Sequence, residues 1–325
     1  MIIGLFPGQG SQYVGMAKEF LETFPIARET FEEASDAIKL DLKKLCNDGS
    51  ESDLKQTQNT QPALLVTSIA NYRVLETQFG FQPSVVAGHS LGEYSALVAS
   101  QAFTLETAIK WVRQRGIEMQ KAVGIGEGGM AAVMGLKDQQ IEALCNEATS
   151  VAKKNSDKEI VEPANFNSPG QVVVSGTMGA LQALEMVCKN NDDFSKAKVR
   201  RLEVSAPFHC RLMKPAAEAM KQVFQSSGVQ PKSLRFPYVA NLSGEVVKDS
   251  AVIFENLIEQ IDHPVRWTQS MKTVLKQAPQ SAVEIGPGKV LQGLMKRIAK
   301  EEKVDLNLCG INSLESLNQW EKNHG

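Results

Sequence analysis

Ser90 lies in Gly88-His89-Ser90-Leu91-Gly92, a G-x-S-x-G pattern. A serine hydroxyl with a neutral imidazole in reach can perform acyl transfer, because the imidazole takes the proton as the oxygen attacks a carbonyl. The pattern alone also fits a turn serine that caps a helix, but its context favours the nucleophile. The apolar run 84–87 reads as a buried strand and 93–100 as a helix. A serine at a sharp strand-to-helix turn exposes its hydroxyl at the top of an α/β sheet. Glycines on both sides keep a Cβ out of the crowded junction. The start of the following helix leaves N–H groups, that of Leu91 among them, for a developing oxyanion.

The base is sought among four histidines. His324 is next to the last residue, His89 adjoins the serine and points away from it, and His263 precedes Pro264 in a loop. His209, in Ser205-Ala206-Pro207-Phe208-His209-Cys210, falls between an expected strand and an expected helix. Such strand-end loops are where α/β proteins place reactive side chains, so elimination favours His209. A hydrolase triad would add an acid between serine and histidine in chain order. Glu93, Glu106 and Asp138 precede His209, but none stands in a clear strand-end loop, and Asp262-His263 is too compact. No third member is displayed, and a main-chain carbonyl can orient His209 instead. Cys210 adjoins His209, but sequence neighbours rarely face each other, so it is expected in the core. The loop Pro7-Gly8-Gln9-Gly10 closes the apolar run 2–6. Its amides can supply a second oxyanion donor, or it is a plain tight turn.

These residues need a scaffold, and the composition is that of an ordinary globular chain: 325 residues, 42% hydrophobic, 22% charged. A net charge of −2 offers no basic field for nucleic acid or anionic membrane. The first residues lack the basic stretch of a signal peptide, and no run reaches the length of a membrane span. Five scattered cysteines without a C-x-x-C fit free thiols in a reducing cytoplasm and disfavour zinc; no metal is expected.

Along the chain, the apolar run 2–6 reads as a strand, 16–40 as mostly helical, 47–61 as a polar surface loop with a short helix, and 62–79 as a helix. Thr104 reads as the N-cap of a helix running to about residue 122. The glycine-rich break 124–129 reads as a linker, since no strand precedes it and no G-K-[ST] follows. Then come strand 130–136, helix 137–148, strands 161–167 and 171–175, helix 177–189 and strand 197–204. This β-α-β-β-α-β order is that of a ferredoxin-like unit. Larger elements resume with helix 214–225, strand 238–241, helix 251–260, strand 282–285 and helix 290–300. The expected fold is α/β. A large α/β-hydrolase-like subdomain with a parallel sheet, 1–123 and 200–325, carries an inserted small ferredoxin-like subdomain, 124–199.

Several ordered segments resemble one family. Phe6-Pro7-Gly8-Gln9-Gly10-Ser11-Gln12, Gly88-His89-Ser90-Leu91-Gly92-Glu93-Tyr94, Arg115-Gly116 with Met119-Gln120, Ala164-Asn165-Phe166-Asn167-Ser168-Pro169-Gly170-Gln171, Phe208-His209, Asn241 and Glu284-Ile285-Gly286-Pro287-Gly288 follow one another across nearly the whole chain. They look like the malonyl-CoA:acyl carrier protein transacylases of fatty-acid synthesis and the discrete acyltransferases of polyketide assembly. The resemblance implies a ping-pong transfer of malonyl from malonyl-CoA to the phosphopantetheine thiol of holo acyl carrier protein. An acyl hydrolase or thioesterase editing role on the same scaffold is the alternative. It further implies Ser90, His209 and the main-chain carbonyl of Gln260 as the catalytic set, and the N–H groups of Gln9 and Leu91 as the oxyanion hole. Arg115 would grip the malonyl carboxylate, which suits a planar guanidinium better than a lysine. Phe208 and Asn165 would line the substrate site, and Phe208 and Leu91 favour malonyl over methylmalonyl. No cofactor is implied, and a cytoplasmic monomer is expected. Basic residues at the entrance would meet an acidic carrier protein, with Lys189, Lys196, Lys198, Arg200, Arg201 and Arg211 as candidates.

Overall fold

The computed structural model describes residues 1–124 and 126–324; Ile125 of the glycine-rich break and Gly325 lie outside it, as do the side chains of Asn323 and His324. Its strands are β1 (Ile2–Phe6), β2 (Val85–Gly88), β3 (Gly128–Met134), β4 (Val161–Ser168), β5 (Gln171–Thr177), β6 (Lys198–Arg201), β7 (Tyr238–Val239), β8 (Val246–Val247), β9 (Ser281–Ile285) and β10 (Asn307–Ile311). They form a six-stranded sheet of order β10-β9-β1-β2-β7-β8 and a four-stranded sheet of order β4-β5-β3-β6.

The large sheet is parallel except for the β7–β8 hairpin. Parallel strands are covered by helices on both faces, which is why β1 and β2 are continuous apolar runs. Ile3, Leu5, Val85 and Ala87 pack with Trp267, Met271 and Leu291 from helices Trp267–Leu275 and Val290–Glu301. Phe6 and Val86 point the other way, into a core with helices Thr57–Phe79, Gly92–Ala99 and Leu105–Lys121. The registers Phe6↔Gly88 and Ala87↔Val239 set the ends of β1, β2 and β7 side by side. The loops that follow these three strands therefore open along one edge, where parallel sheets bind ligands.

The small sheet is antiparallel throughout. Helices Asp138–Ala152 and Met178–Asn190 cover one face over a core of Ala131, Val133, Leu144, Val172 and Leu181. The strand order and the β-α-β-β-α-β succession are ferredoxin-like. Its other face, with Met130, Ala164 and Val173, joins the core of the large sheet.

Several elements differ from expectation. Gly128 and Gly129 begin β3, so the break is shorter, and β6 runs across position 199 and stops at Arg201. The segment 202–205 that follows it is free to line a cleft. Helix Thr57–Phe79 starts five residues before Pro62. Proline lacks an N–H for the carbonyl four residues back, normally a helix-breaking loss. Here Arg113 Nη1 donates to Gln58 O at 2.7 Å, which satisfies that carbonyl from the neighbouring helix. Strand β10 and helices Trp267–Leu275 and Leu314–His324 are additions; β10 is a half-exposed edge strand without a continuous apolar run. No helix among the described residues is long and apolar enough to cross a membrane.

Candidate active site

The turn after β2 is built as its glycines require. A Cβ on Gly88 would lie 1.8 Å from Gly92 O, and one on Gly92 would lie 2.1 Å from Phe6 O. Strand, turn and helix are thus in backbone contact. Ser90 between them has φ +51°, a left-handed conformation uncommon outside glycine. Asn241, just beyond β7, braces the turn: its Oδ1 accepts from Ser90 N–H at 2.7 Å and its Nδ2 donates to Gly88 O at 2.7 Å. Within the turn, the N–H groups of Gly92, Glu93 and Tyr94 go to the carbonyls of His89, Ser90 and Leu91. The N–H groups of Leu91 and Gln9 have no acceptor among the described residues.

His209 reaches Ser90 from the loop after β6, also with a positive φ of +59°. Backbone strain of this kind concentrates at functional sites. The imidazole Nε2 lies 2.7 Å from Ser90 Oγ, and Nδ1 lies 2.8 Å from Gln260 O. A carbonyl can only accept, so Nδ1 carries the proton and Nε2 turns its lone pair to the serine hydroxyl. Gln260 is the C-cap of helix Ile253–Glu259, where the last carbonyls lack helical partners and carry the negative end of the dipole. That explains a serine–histidine pair with no acid on the histidine. Burial, then the charge of Arg115, push the His209 pKa down to about 3, which keeps the imidazole neutral.

Arg115, on helix Leu105–Lys121, is only 1% exposed. Its Nη1 donates to Gln61 Oε1 at 2.8 Å; its Nη2 donates to Gln260 Oε1 at 2.8 Å and to Ser90 Oγ at 3.2 Å. The guanidinium lies 5.6 Å from the Tyr94 ring centre, and its Nε has no partner. No carboxylate forms an ion pair with it among the described residues. Burying an unpaired cation is costly, so this site is prepared for an anion that arrives from outside. Behind it, Gln260 Nε2 donates to Ser90 O at 2.9 Å and to Glu93 Oε2 at 2.6 Å. Burial pushes the Glu93 carboxyl up to about 8.

Ser90, His209 and Arg115 open on a cleft of about 180 Å³ between the two sheets, which Gln9, Leu91, Asn165 and Phe208 also line. Gln260 supports it from behind. The remaining wall is largely apolar, with Met119, Met130, Val173, Leu202, Val204 and Leu294. Glu284 holds part of that wall in place: its carboxylate accepts from the N–H groups of Leu291 and Gln292 at 3.0 and 2.9 Å, at the start of helix Val290–Glu301.

Of the other described histidines, His89 lines the same cleft, but its Nε2 pairs with Asn167 Oδ1 at 2.7 Å and its ring packs on Trp267; exposed His263 bonds Glu259 O and Asp262. Cys210 is buried with its thiol on Pro207 O. Of the basic candidates, Arg201 and Arg211 are ion-paired to Glu185 and Glu162. Sequence reasoning missed Gln61, the brace role of Asn241, and the place of Glu93 beside Gln260 rather than the histidine. Gln61 carried almost no signal, a polar residue at the end of the polar segment 47–61, just before the apolar helix pattern begins. Among the described residues, no group of three or more His, Cys, Asp or Glu could hold a metal ion.

Comparison with known proteins gives a consistent set of relatives. The acyl transferase domain family matches residues 4–325. The malonyl CoA-acyl carrier protein transacylase of Bacillus subtilis strain 168 is 42% identical over 301 residues, 92% of this chain and 90% of its own length. That of Escherichia coli K12 is 42% identical over 294 residues, 90% and 91% of the two chains. Among solved structures, the acyl-carrier-protein S-malonyltransferase of Burkholderia pseudomallei 1710b superposes with a TM-score of 0.90 at 40% identity, covering 99% of both chains. A malonyl-transacylase solved in complex with its type II polyketide acyl carrier protein superposes with a TM-score of 0.91 at 40% identity, again over 99% of both.

Proposed function

The chain belongs to the acyl transferase domain family, and we propose that it carries a malonyl group from malonyl-CoA to the phosphopantetheine thiol of an acyl carrier protein. The intermediate is a malonyl ester on Ser90. The observation that carries this reading is Arg115: a buried guanidinium without an ion pair, 3.2 Å from the Ser90 hydroxyl. A neutral acyl group would leave that charge uncompensated, whereas an acyl group ending in a carboxylate supplies its missing partner.

In the first half-reaction, His209 Nε2 takes the Ser90 proton as Oγ attacks the thioester carbonyl. The N–H groups of Gln9 and Leu91 receive the oxyanion. Preorganised donors of this kind stabilise charge that develops only in the transition state. Collapse breaks the C–S bond, and the imidazolium returns its proton to the coenzyme A sulfur. Arg115 keeps one unpartnered N–H on Nη1, and the Nη2 N–H that donates to Ser90 Oγ is released when that oxygen becomes an ester, a pair suited to the two oxygens of a carboxylate. In the second half-reaction His209 takes the proton of the pantetheine thiol, whose sulfur attacks the ester. Ser90 leaves as the alkoxide and recovers the proton. The apolar wall of the cleft, with Asn165 and Phe208 beside the acyl group, favours a thiol over water as acceptor. Every step is assigned to side chains and main-chain N–H groups of this chain.

The small unit at 124–199 is read as one wall of the site, and the enzyme as a cytoplasmic monomer with its five cysteines free. The acceptor class is a carrier protein of fatty acid or polyketide synthesis. Incubation with malonyl-CoA, with and without holo carrier protein, tests the reading. Slow release of coenzyme A alone and fast transfer with carrier protein are expected. Fast release without carrier protein would make the chain a hydrolase.

A further inference from the structure

The arginine that faces Ser90 is held by two neutral amides, although an acidic side chain is close by. Gln61 and Gln260 each give one side-chain oxygen to the guanidinium at 2.8 Å. Glu93 stands one amide further back, with Gln260 Nε2 donating to it at 2.6 Å and Asn241 N–H at 3.3 Å. That carboxyl oxygen accepts, so the NH₂ end of Gln260 must face it and the oxygen end must face Arg115. All four side chains are at most 1% exposed. A carboxylate in place of either glutamine oxygen would hold the guanidinium as well or better, because charge-assisted hydrogen bonds are the stronger kind. It would also neutralise the cation and repel an incoming anion.

We propose that Gln61 and Gln260 are specificity-determining positioning residues: they fix the fork of Arg115 while leaving its charge unpaired, and this neutrality selects a carboxylate-ended acyl group. The inference rests on the malonyl reading above. Glu93 contributes by fixing which end of the Gln260 amide meets the arginine.

The test is Gln61→Glu, an isosteric change that keeps the brace and adds the charge. The ratio of kcat/KM for malonyl-CoA to that for acetyl-CoA is expected to fall about ten- to a hundredfold, the scale of one charge-assisted hydrogen bond. The loss should lie mainly in the malonyl KM, and Gln61→Met, which drops the brace but keeps the cation, should lower the ratio less. A merely structural brace predicts the reverse order, with Gln61→Glu retaining or raising the ratio; that result overturns the proposal. Labelling of Ser90 by an uncharged sulfonyl fluoride reports an intact serine–histidine pair in each variant. A measurement on the unaltered chain does not depend on variants folding: malonate should protect Ser90 from that reagent far better than malonamide does. Equal protection overturns the proposal. Absence of malonyl transfer by the unaltered chain would instead refute the parent reading.

Discussion

Replacing Arg115 by methionine removes the guanidinium while keeping a similar volume on a fully packed helix face. In the unaltered chain it is 1% exposed and makes hydrogen bonds to Gln61, Gln260 and Ser90, with no ion pair. One N–H on Nη1 is without a partner, and the Nη2 N–H on Ser90 Oγ is released once that oxygen is esterified, which gives two for a substrate carboxylate. Each charge-assisted hydrogen bond is worth about 1.5–3 kcal/mol, so the pair contributes about 3–6 kcal/mol to holding malonyl. At about 1.36 kcal/mol per factor of ten, the variant should lose roughly 10²–10⁴ in malonyl kcat/KM. Acetyl-CoA has no carboxylate and forfeits none of this, so selectivity should collapse. A second consequence runs through His209. Arg115 is the second cause, after burial, of a His209 pKa near 3. Without it the imidazole becomes more basic and protonates at higher pH, so the acid limb of acetyl turnover should move upward. The assay is release of coenzyme A from malonyl-CoA and acetyl-CoA into holo carrier protein between about pH 3 and pH 9, which spans the His209 pKa near 3 and the ordinary imidazole value. Equal losses for both acyl groups would refute the role given to Arg115; an unmoved acid limb would refute its coupling to His209.

Gly92→Ala sets a methyl 2.1 Å from Phe6 O and 3.0 Å from Pro7 O, with backbone on both sides; a loss of at least about 3 kcal/mol is expected, read as a shifted denaturant midpoint. Asn241→Ala strips partners from Ser90 N–H and Gly88 O, at about 1–3 kcal/mol each, and should slow Ser90 acylation as well as lower the midpoint; wild-type values for both would discount the brace. Glu93→Gln removes a carboxyl that burial raises from about 4.5 to about 8. Between those values the folded chain holds a proton that the unfolded chain has released, so stability falls as pH rises, by up to about 1.4 kcal/mol per pH unit. The variant lacks that slope, so its Tm relative to the unaltered chain should rise from pH 5 to pH 9; a constant difference would place Glu93 ionised throughout.

What could be read in the sequence was what local backbone geometry enforces. Ser90 is legible because the turn admits only glycine at 88 and 92, and His209 because few histidines compete for a strand-end loop. The β-α-β-β-α-β succession of the small sheet is legible because its amphipathic periods alternate cleanly. Arg115 reads as a solvated helix arginine by spacing alone, and only the family resemblance singled it out. The partner of His209 is a main-chain carbonyl, which any residue at position 260 would present, so no side-chain pattern could reveal it. Gln61 and Arg115 are brought together by packing of helices 54 positions apart in sequence, and a lone glutamine records nothing of that. By spacing alone Glu93 is an acid outside any strand-end loop. Its place is beside Gln260, a contact across 167 positions.

The central claim is that Ser90 carries an acyl group chosen by its carboxylate. It is tested most directly by exposing the chain to equal amounts of malonyl-CoA and acetyl-CoA without carrier protein, and identifying the acyl group on each peptide by mass spectrometry. The account predicts malonyl on the Ser90 peptide, discharged when holo carrier protein is added. Acetyl predominating there, or acylation on Cys210 in place of Ser90, would contradict it.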